Sequence, residues 1–377
     1  MKICMLSHSY PPELERSGIS TYTHIIANEL ANKHEVTVIA ESAGEEKDCM
    51  ENNVQVIRIN PRIIRLPIFN IFFGNFIHKL CYSYQVYRKI KSLKIPFDII
   101  HAGEWSFEAL FLTFCKNTNI VTTIHSPTIL TRPWEEKGIQ MQDRLINLLE
   151  KTQTKRSKAI ISPSRFLKKI VSEEWDIPLH SIQIISNPTK EIVLAKRKVP
   201  YKNFMVYYGR VEKLKGVLVL LKVLDGVFEL HPDLKMLFIG TDRINIKKYL
   251  NESRHKKNII LLPHLSQEDL FPIVSKARLV ILPSLFENFG LTCLEAMELG
   301  RVVIATRKTG FEEIIQDGIS GFLVEPGNAK ELQEKIISCL ERKDLGMISK
   351  NAQKRAEDFD VKIIAEQLEK LYKQVQK

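Results

Sequence analysis

Pro283-Ser284-Leu285-Phe286-Glu287-Asn288-Phe289-Gly290-Leu291-Thr292-Cys293-Leu294-Glu295-Ala296-Met297 is the stretch that decides the fold of this chain. The apolar run Leu279-Val280-Ile281-Leu282 before it reads as a buried parallel strand. Residues 291–299 carry apolar side chains at helical spacing among good helix formers. A strand that turns straight into a helix opens into a cleft at the strand's carboxyl end. Glu287 lies in that turn and Glu295 about one helical turn inside the helix, so a ligand along the helix start meets a carboxylate at each end. Such a site suits something long, polar and rich in hydroxyls.

Outward from this stretch the same alternation repeats. Residues 204–208, 234–240, 259–262, 277–282, 302–306 and 321–324 read as strands, and 217–230, 267–276, 291–299, 311–317 and 329–341 as helices. Toward the amino terminus, strands are predicted at 3–6, 35–40, 54–59, 97–101, 120–125 and 159–162. Helices are predicted there at 21–33, 107–116, 142–154 and 165–174. Two such series imply two parallel sheets, each covered by helices on both faces. Between residues 187 and 203 prolines, lysines and arginines replace the periodic apolar residues, which marks the domain boundary. The predicted domains are 1–190 and 200–355. Apolar residues at helical spacing after residue 355, among them Phe359, Ile363, Ile364, Leu368 and Leu371, predict that 356–377 packs back toward the first domain.

The chain has 377 residues, 44% hydrophobic and 26% charged, enough for two cores. Its six cysteines form no C-x-x-C pair and no set at zinc-ligand spacing, which fits a reducing, cytoplasmic setting. Residues 1–8 read as a first buried strand, without the cleavage site of a signal peptide. The formal charge of +11 favours anionic ligands or surfaces. No finger, RNP-type or helix-turn-helix signature accompanies it, so nucleic acid is not an expected partner.

The first strand of the second domain ends in Tyr207-Tyr208-Gly209-Arg210-Val211-Glu212-Lys213-Leu214-Lys215-Gly216, and a helix follows at once. Gly209 permits a tight turn, Arg210 offers a forked donor for phosphate oxygens, and Lys215 precedes a helix start that itself favours anions. Gly240 ends the next strand where a ligand can approach the backbone, and His264-Leu265 follow the third, where backbone can meet a planar base. No G-x-G-x-x-G opens any strand-helix junction and no G-x-S-x-G elbow is present, which argues against a nicotinamide dehydrogenase and a serine hydrolase.

Taken together, Gly209-Arg210 with Lys215, Gly240, Glu287-x7-Glu295, Thr309-Gly310-Phe311-Glu312-Glu313 and Asp317-Gly318-Ile319-Ser320-Gly321 resemble the second half of the family-four retaining glycosyltransferases. The resemblance spans essentially the whole second domain, in the family's order. It implies the GT-B fold, two Rossmann-like domains facing each other across a cleft, with the acceptor held by the first and a nucleotide sugar by the second. It implies further that Arg210 and Lys215 grip the donor diphosphate and Glu287 a sugar hydroxyl. The same resemblance implies that the backbone of Asn288, Phe289, Gly290 and Leu291 lies beneath sugar and phosphates and that Glu295 binds the ribose hydroxyls. The donor is expected to be a UDP- or GDP-sugar and the acceptor a glycan or a lipid-linked glycan, with no metal or other cofactor, since no Asp-x-Asp motif with a partner suggests a bound divalent ion and the two cations can neutralise the leaving group.

The first domain resembles the family less closely. Gly18 stands in the family's glycine-pair loop, with Ser17 where the first glycine is usual, and His125 matches a histidine near the donor sugar. Asn187-Pro188 stands where Asn-Gly is usual, which restricts the linker. Glu104, Trp105, Arg132, Trp134 and Arg165 lie near strand ends as candidate walls of the acceptor groove. Residues 61–94 are aromatic, basic and free of acids, as suits contact with an anionic membrane surface; the alternative is that they form core of the first domain. Two other functions share this architecture: a sugar-nucleotide epimerase, and a binding subunit that keeps the nucleotide pocket without the chemistry.

Overall fold

The computed structural model describes residues 1–13, 18–61, 67–135, 137–189, 191–251 and 253–377. Ser17, and residues 62–66 of the basic aromatic segment, lie outside them. The chain divides into two units, Met1–Pro188 with Val361–Lys377, and Thr189–Asp360.

The first unit is built on β1 (Lys2–Ser7), β2 (Glu35–Glu41), β3 (Lys47–Glu51), β4 (Val54–Ile59), β5 (Ile99–Gly103), β6 (Ile120–Thr123), β7 (Ala159–Ser162) and β8 (Ile182–Ile184). They lie in the order β3-β4-β2-β1-β5-β6-β7-β8. All neighbours are parallel except β3 and β4. Alternation along each strand feeds two cores. Ile3, Met5, Val36 and Val38 face the helices Gly18–Leu30 and Val361–Gln376, while Cys4, Leu6, Ile39 and Ile57 face Tyr82, Val86 and Ile90 of the helix Pro67–Leu93. The last helix belongs to this core through Ile364, Leu368, Leu371 and Tyr372, and the Tyr372 hydroxyl stands 2.5 Å from His101 Nδ1.

The second unit has β9 (Phe204–Tyr208), β10 (Lys235–Ile239), β11 (Ile259–Leu262), β12 (Val280–Leu282), β13 (Val303–Thr306) and β14 (Phe322–Val324), all parallel, in the order β11-β10-β9-β12-β13-β14. Its core lies on both sheet faces. Phe204, Val206 and Tyr208 pack toward the helix Leu291–Glu298, and Met205 and Tyr207 toward the helices Val217–Leu230 and Ala329–Glu341. The strand order reverses between β9 and β12, with β10 and β11 added on one side of β9 and β12, β13 and β14 on the other. In an open sheet of this kind, ligands bind outside the carboxyl ends of the strands at such a reversal.

Several local expectations change. Residues 107–116 do not form an α-helix but two short 3-10 turns, Trp105–Phe107 and Leu110–Phe114. Ser106 and Phe107 have positive φ, and Ala109 N donates to Gln153 Oε1 at 2.7 Å in place of a helical bond. Residues 311–317 likewise shorten to the 3-10 turn Gly310–Glu313. Arg355 takes the Glu313 and Ile314 carbonyls at 2.8 and 3.1 Å, and Asp317 turns to the Leu323 N–H. Residues 345–377 form two helices, Leu345–Glu357 and Val361–Gln376. Buried Phe359 sits in the break with its ring 5.8 Å from that of Phe289.

Candidate functional site

The loops after β9 and β12 meet where the strand order of the second sheet reverses. Leu285 N donates to the Leu214 carbonyl at 2.8 Å, tying the two loops together. Gly216, the residue before the helix Val217–Leu230, has φ +68°, and a Cβ there would overlap the Pro283 carbonyl. The loops are therefore close-packed backbone, and the side chains on them are held by it.

Lys215 and Glu287 come together on this frame, with Lys215 Nζ 2.8 Å from Glu287 Oε2 and both side chains largely buried. Gly310 N donates to the Glu287 carbonyl at 2.7 Å, which fixes the turn that carries the carboxylate. Glu287 Oε1 has no hydrogen bond within the described residues. Arg210 is half-exposed, 50% by side chain, with Nη2 3.2 Å from Glu212 Oε1. The Tyr207 hydroxyl donates to the Arg210 carbonyl at 2.5 Å. Glu212, which the sequence reading did not single out, also faces Arg243 at 3.7 Å. Its signal was its place two residues from Arg210, within reach of the guanidinium.

Gly209 and Gly240 lie side by side at the ends of β9 and β10. Gly240 has φ +147°, and a Cβ there would collide with the Gly209 backbone, so neither a side chain nor a wider turn fits. Asn288, Phe289 and Gly290 complete the turn after β12, and Leu291 opens the following helix. Phe289 is buried, so only its backbone serves a ligand. Glu295 lies on that helix near Tyr208, whose hydroxyl donates to the Thr292 carbonyl. Burial pushes the Glu295 carboxyl up to about 7. Its side chain has no hydrogen bond or ion pair among the described residues. Leu265 packs, as Leu291 does, against the core cluster that holds Tyr208 and Phe289, and with Tyr201, Leu262 and Ile273 it lines a depression of about 270 Å³.

Gly18 and His125 belong to the first unit. Gly18 opens the helix Gly18–Leu30, and Tyr22 of that helix meets the His125 ring edge-on at 4.8 Å. Burial, with the neighbouring His101, brings the His125 imidazole down to about 3, so it is neutral near pH 7. Its main-chain N–H donates to buried Glu104 at 2.6 Å, and Ser126 N donates to the other oxygen at 2.5 Å. Glu104 is therefore a support for the loop that carries His125. Arg132 is engaged by Asp143 at 3.1 Å and by Glu135.

Chemically, the second unit offers two cations, a hydrogen-bonding carboxylate held by one of them, and a second carboxylate poised between its charge states. That set fits a diphosphate flanked by hydroxyl-bearing groups. Residues 190–355 match the family described as glycosyl transferases group 1, and residues 16–190 that described as glycosyltransferase family 4. An uncharacterised glycosyltransferase of Methanocaldococcus jannaschii is 26% identical, over 87% of this chain and 86% of its own length. Among solved structures, sucrose-phosphate synthase of Thermosynechococcus elongatus superposes with a TM-score of 0.82 at 20% identity, covering 99% of this chain and 98% of its own. The Anabaena protein HepE, solved with UDP-glucose, superposes with a TM-score of 0.73 at 18% identity, covering 99% of this chain and 100% of its own. With both halves matched and the GT-B fold shared, this chain belongs to the family-four glycosyltransferases.

Proposed function

We propose that this protein transfers a sugar from a nucleotide-diphosphate donor to an acceptor hydroxyl with retention of anomeric configuration and without a metal ion. The observation that carries the proposal is the Lys215–Glu287 pair, 2.8 Å apart where the strand order of the second sheet reverses, with Arg210 on the same loop as Lys215. The bond between the sugar's anomeric carbon and the phosphate oxygen breaks, and a bond to the acceptor oxygen forms on the same face. The acceptor's proton passes to the departing phosphate oxygen. Arg210 and Lys215 stabilise the negative charge that grows there. Glu287 orients Lys215 through one oxygen and offers the other to a sugar hydroxyl, Glu295 accepts from the ribose, and neutral His125 is assigned a hydrogen bond to the donor sugar. The UDP-glucose complex of HepE supports a uridine nucleotide as the first donor to test.

The acceptor is proposed to be a glycan or lipid-linked glycan in cell-envelope synthesis, met by a cytoplasmic protein at the membrane's inner face. Ile71 and Phe72, 76% and 67% exposed near the start of the helix Pro67–Leu93, with Lys89 and Lys91 farther along it, support the membrane contact. Among the described residues no helix is long and apolar enough to cross a membrane.

The test is release of nucleotide diphosphate from UDP-, GDP- and ADP-sugars with and without glycan and lipid acceptors. Acceptor-dependent release supports the transferase. Epimerised donor without release would show the epimerase, and binding without either would show the binding subunit.

A further inference from the structure

Three side chains at the carboxyl edge of the first unit's sheet form a cluster that sugar transfer does not use. His8 follows β1 directly and Glu41 closes β2, and the register that pairs Ser7 with Ala40 sets them side by side. His78 arrives from the helix Pro67–Leu93. Positions 78, 82, 86 and 90 form an i, i+4 stripe on that helix. Tyr82, Val86 and Ile90 of the stripe are buried against β1, β2 and β5. The Tyr82 hydroxyl donates to the Ser7 carbonyl at 3.1 Å, so the preceding turn carries His78 to the strand ends.

His78 Nε2 is 2.9 Å from Glu41 Oε1 and His8 Nε2 is 2.8 Å from Glu41 Oε2. One ligand-type atom from each residue lies within 4.8 Å of the other two. A second observation separates this cluster from an ordinary ion pair. Glu41 Oε2 is buried without a hydrogen bond among the described residues, so the His8 nitrogen faces it off the hydrogen-bonding direction. The His8 ring is also held edge-on by Tyr82 and Trp105, with centroids 5.1 and 5.4 Å away, which fixes where its nitrogen points. Donors around a tetrahedral zinc ion lie about 3.4 Å from one another, so a small opening of the three groups accommodates an ion. Each side chain is part-exposed, which leaves room for a water ligand.

We propose that His8, Glu41 and His78 bind a divalent first-row transition-metal ion of the zinc class through two imidazole nitrogens and a carboxylate oxygen, with water completing the shell. Two nitrogen donors of three favour zinc over magnesium or calcium, which take oxygen ligands. The ion ties the ends of β1 and β2 to the helix Pro67–Leu93. Its three ligands all belong to the first unit, whereas the cations proposed for the diphosphate, Arg210 and Lys215, belong to the second.

The test uses full-length, tag-free protein stripped with a chelator and titrated with Zn²⁺, and with Co²⁺ as a spectroscopic probe. The expected result is one ion per chain, with a Co²⁺ spectrum of nitrogen and oxygen ligation lacking a thiolate charge-transfer band. His78→Ala and Glu41→Gln should each weaken binding at least about tenfold. Should either variant fail to fold, shifts in two histidine ring signals of the wild-type protein on Zn²⁺ addition give the same readout. Absence of saturable binding, binding unchanged in folded variants, unmoved ring signals, or a thiolate band would overturn the proposal.

Discussion

Lys215 and Glu287, 72 residues apart in sequence, meet at 2.8 Å because β9 and β12 are neighbours and each ends in a loop closed by backbone contacts. The pair sets the charge state of the site before any ligand arrives. Replacing Lys215 by Ala should lower kcat by roughly two or more orders of magnitude, as loss of a preorganised charge stabiliser does. The change also leaves the Glu287 carboxylate unpaired in a largely buried place. A double-mutant cycle of Lys215→Ala and Glu287→Ala, read by thermal unfolding, should give a coupling of about 0.5–3 kcal/mol. Additive losses would deny the pair a joint role.

Donor binding should depend on pH through Glu295. Its carboxyl titrates near 7 in the folded protein because burial disfavours the charge, and a ribose hydroxyl donates best to the charged form. Affinity for a nucleotide sugar should rise from pH 6 to pH 8 in the wild-type protein. Titration calorimetry on Glu295→Gln should show weaker binding without that rise.

Overall stability should fall between about pH 6.5 and 8. Burial raises the Glu104 and Glu108 carboxyls to about 8 and that of Glu295 to about 7. A carboxyl raised on folding contributes stability that is present at low pH and lost as pH rises through its folded value. Buried His101 and His125, both lowered to about 3, act oppositely, but only up to the ordinary histidine value of 6.5. Above that value the carboxyls decide, with a slope of about 1–3 kcal/mol per pH unit. Denaturant unfolding at several pH values checks the sign.

Gly216→Ala and Gly318→Ala should differ although both glycines have positive φ. Gly216 at φ +68° has the Pro283 carbonyl where a Cβ would stand, whereas Gly318 at φ +74° faces open space. The first should cost about 2–4 kcal/mol and the second about 1–2 kcal/mol. Equal costs in urea unfolding would mean the two loops can separate.

A chelator should lower the melting temperature of zinc-loaded protein while sugar transfer continues. Turnover lost with EDTA and restored by magnesium would show that Arg210 and Lys215 do not suffice for the leaving diphosphate.

The second unit was largely legible from sequence. Buried parallel strands such as 204–208 and 280–282 are continuous apolar runs, and glycines punctuate the loops between them. The placement of Arg210, Lys215 and Glu287 on loops after strand ends, and of Glu295 on the helix that follows, was legible because each loop comes directly after an apolar strand. The first unit was less so. The hairpin strand Lys47–Glu51 is mostly polar, and its turn rests on Asn52 and Asn53 at φ 48° and 65°, a local signal without an apolar alternation beside it. The cluster of His8, Glu41 and His78 had no spacing motif to reveal it, since its members meet only through strand register and a helix stripe.

The most direct test of the central claim is the thermal shift of the wild-type protein, Arg210→Ala and Glu295→Ala against UDP-, GDP- and ADP-sugars. Ligand that binds the native state alone raises the melting temperature by mass action. The expected result is stabilisation of the wild-type protein by one nucleotide class, reduced in both variants. Stabilisation by none of the donors, or by a donor equally in all three proteins, would contradict the assignment of the site.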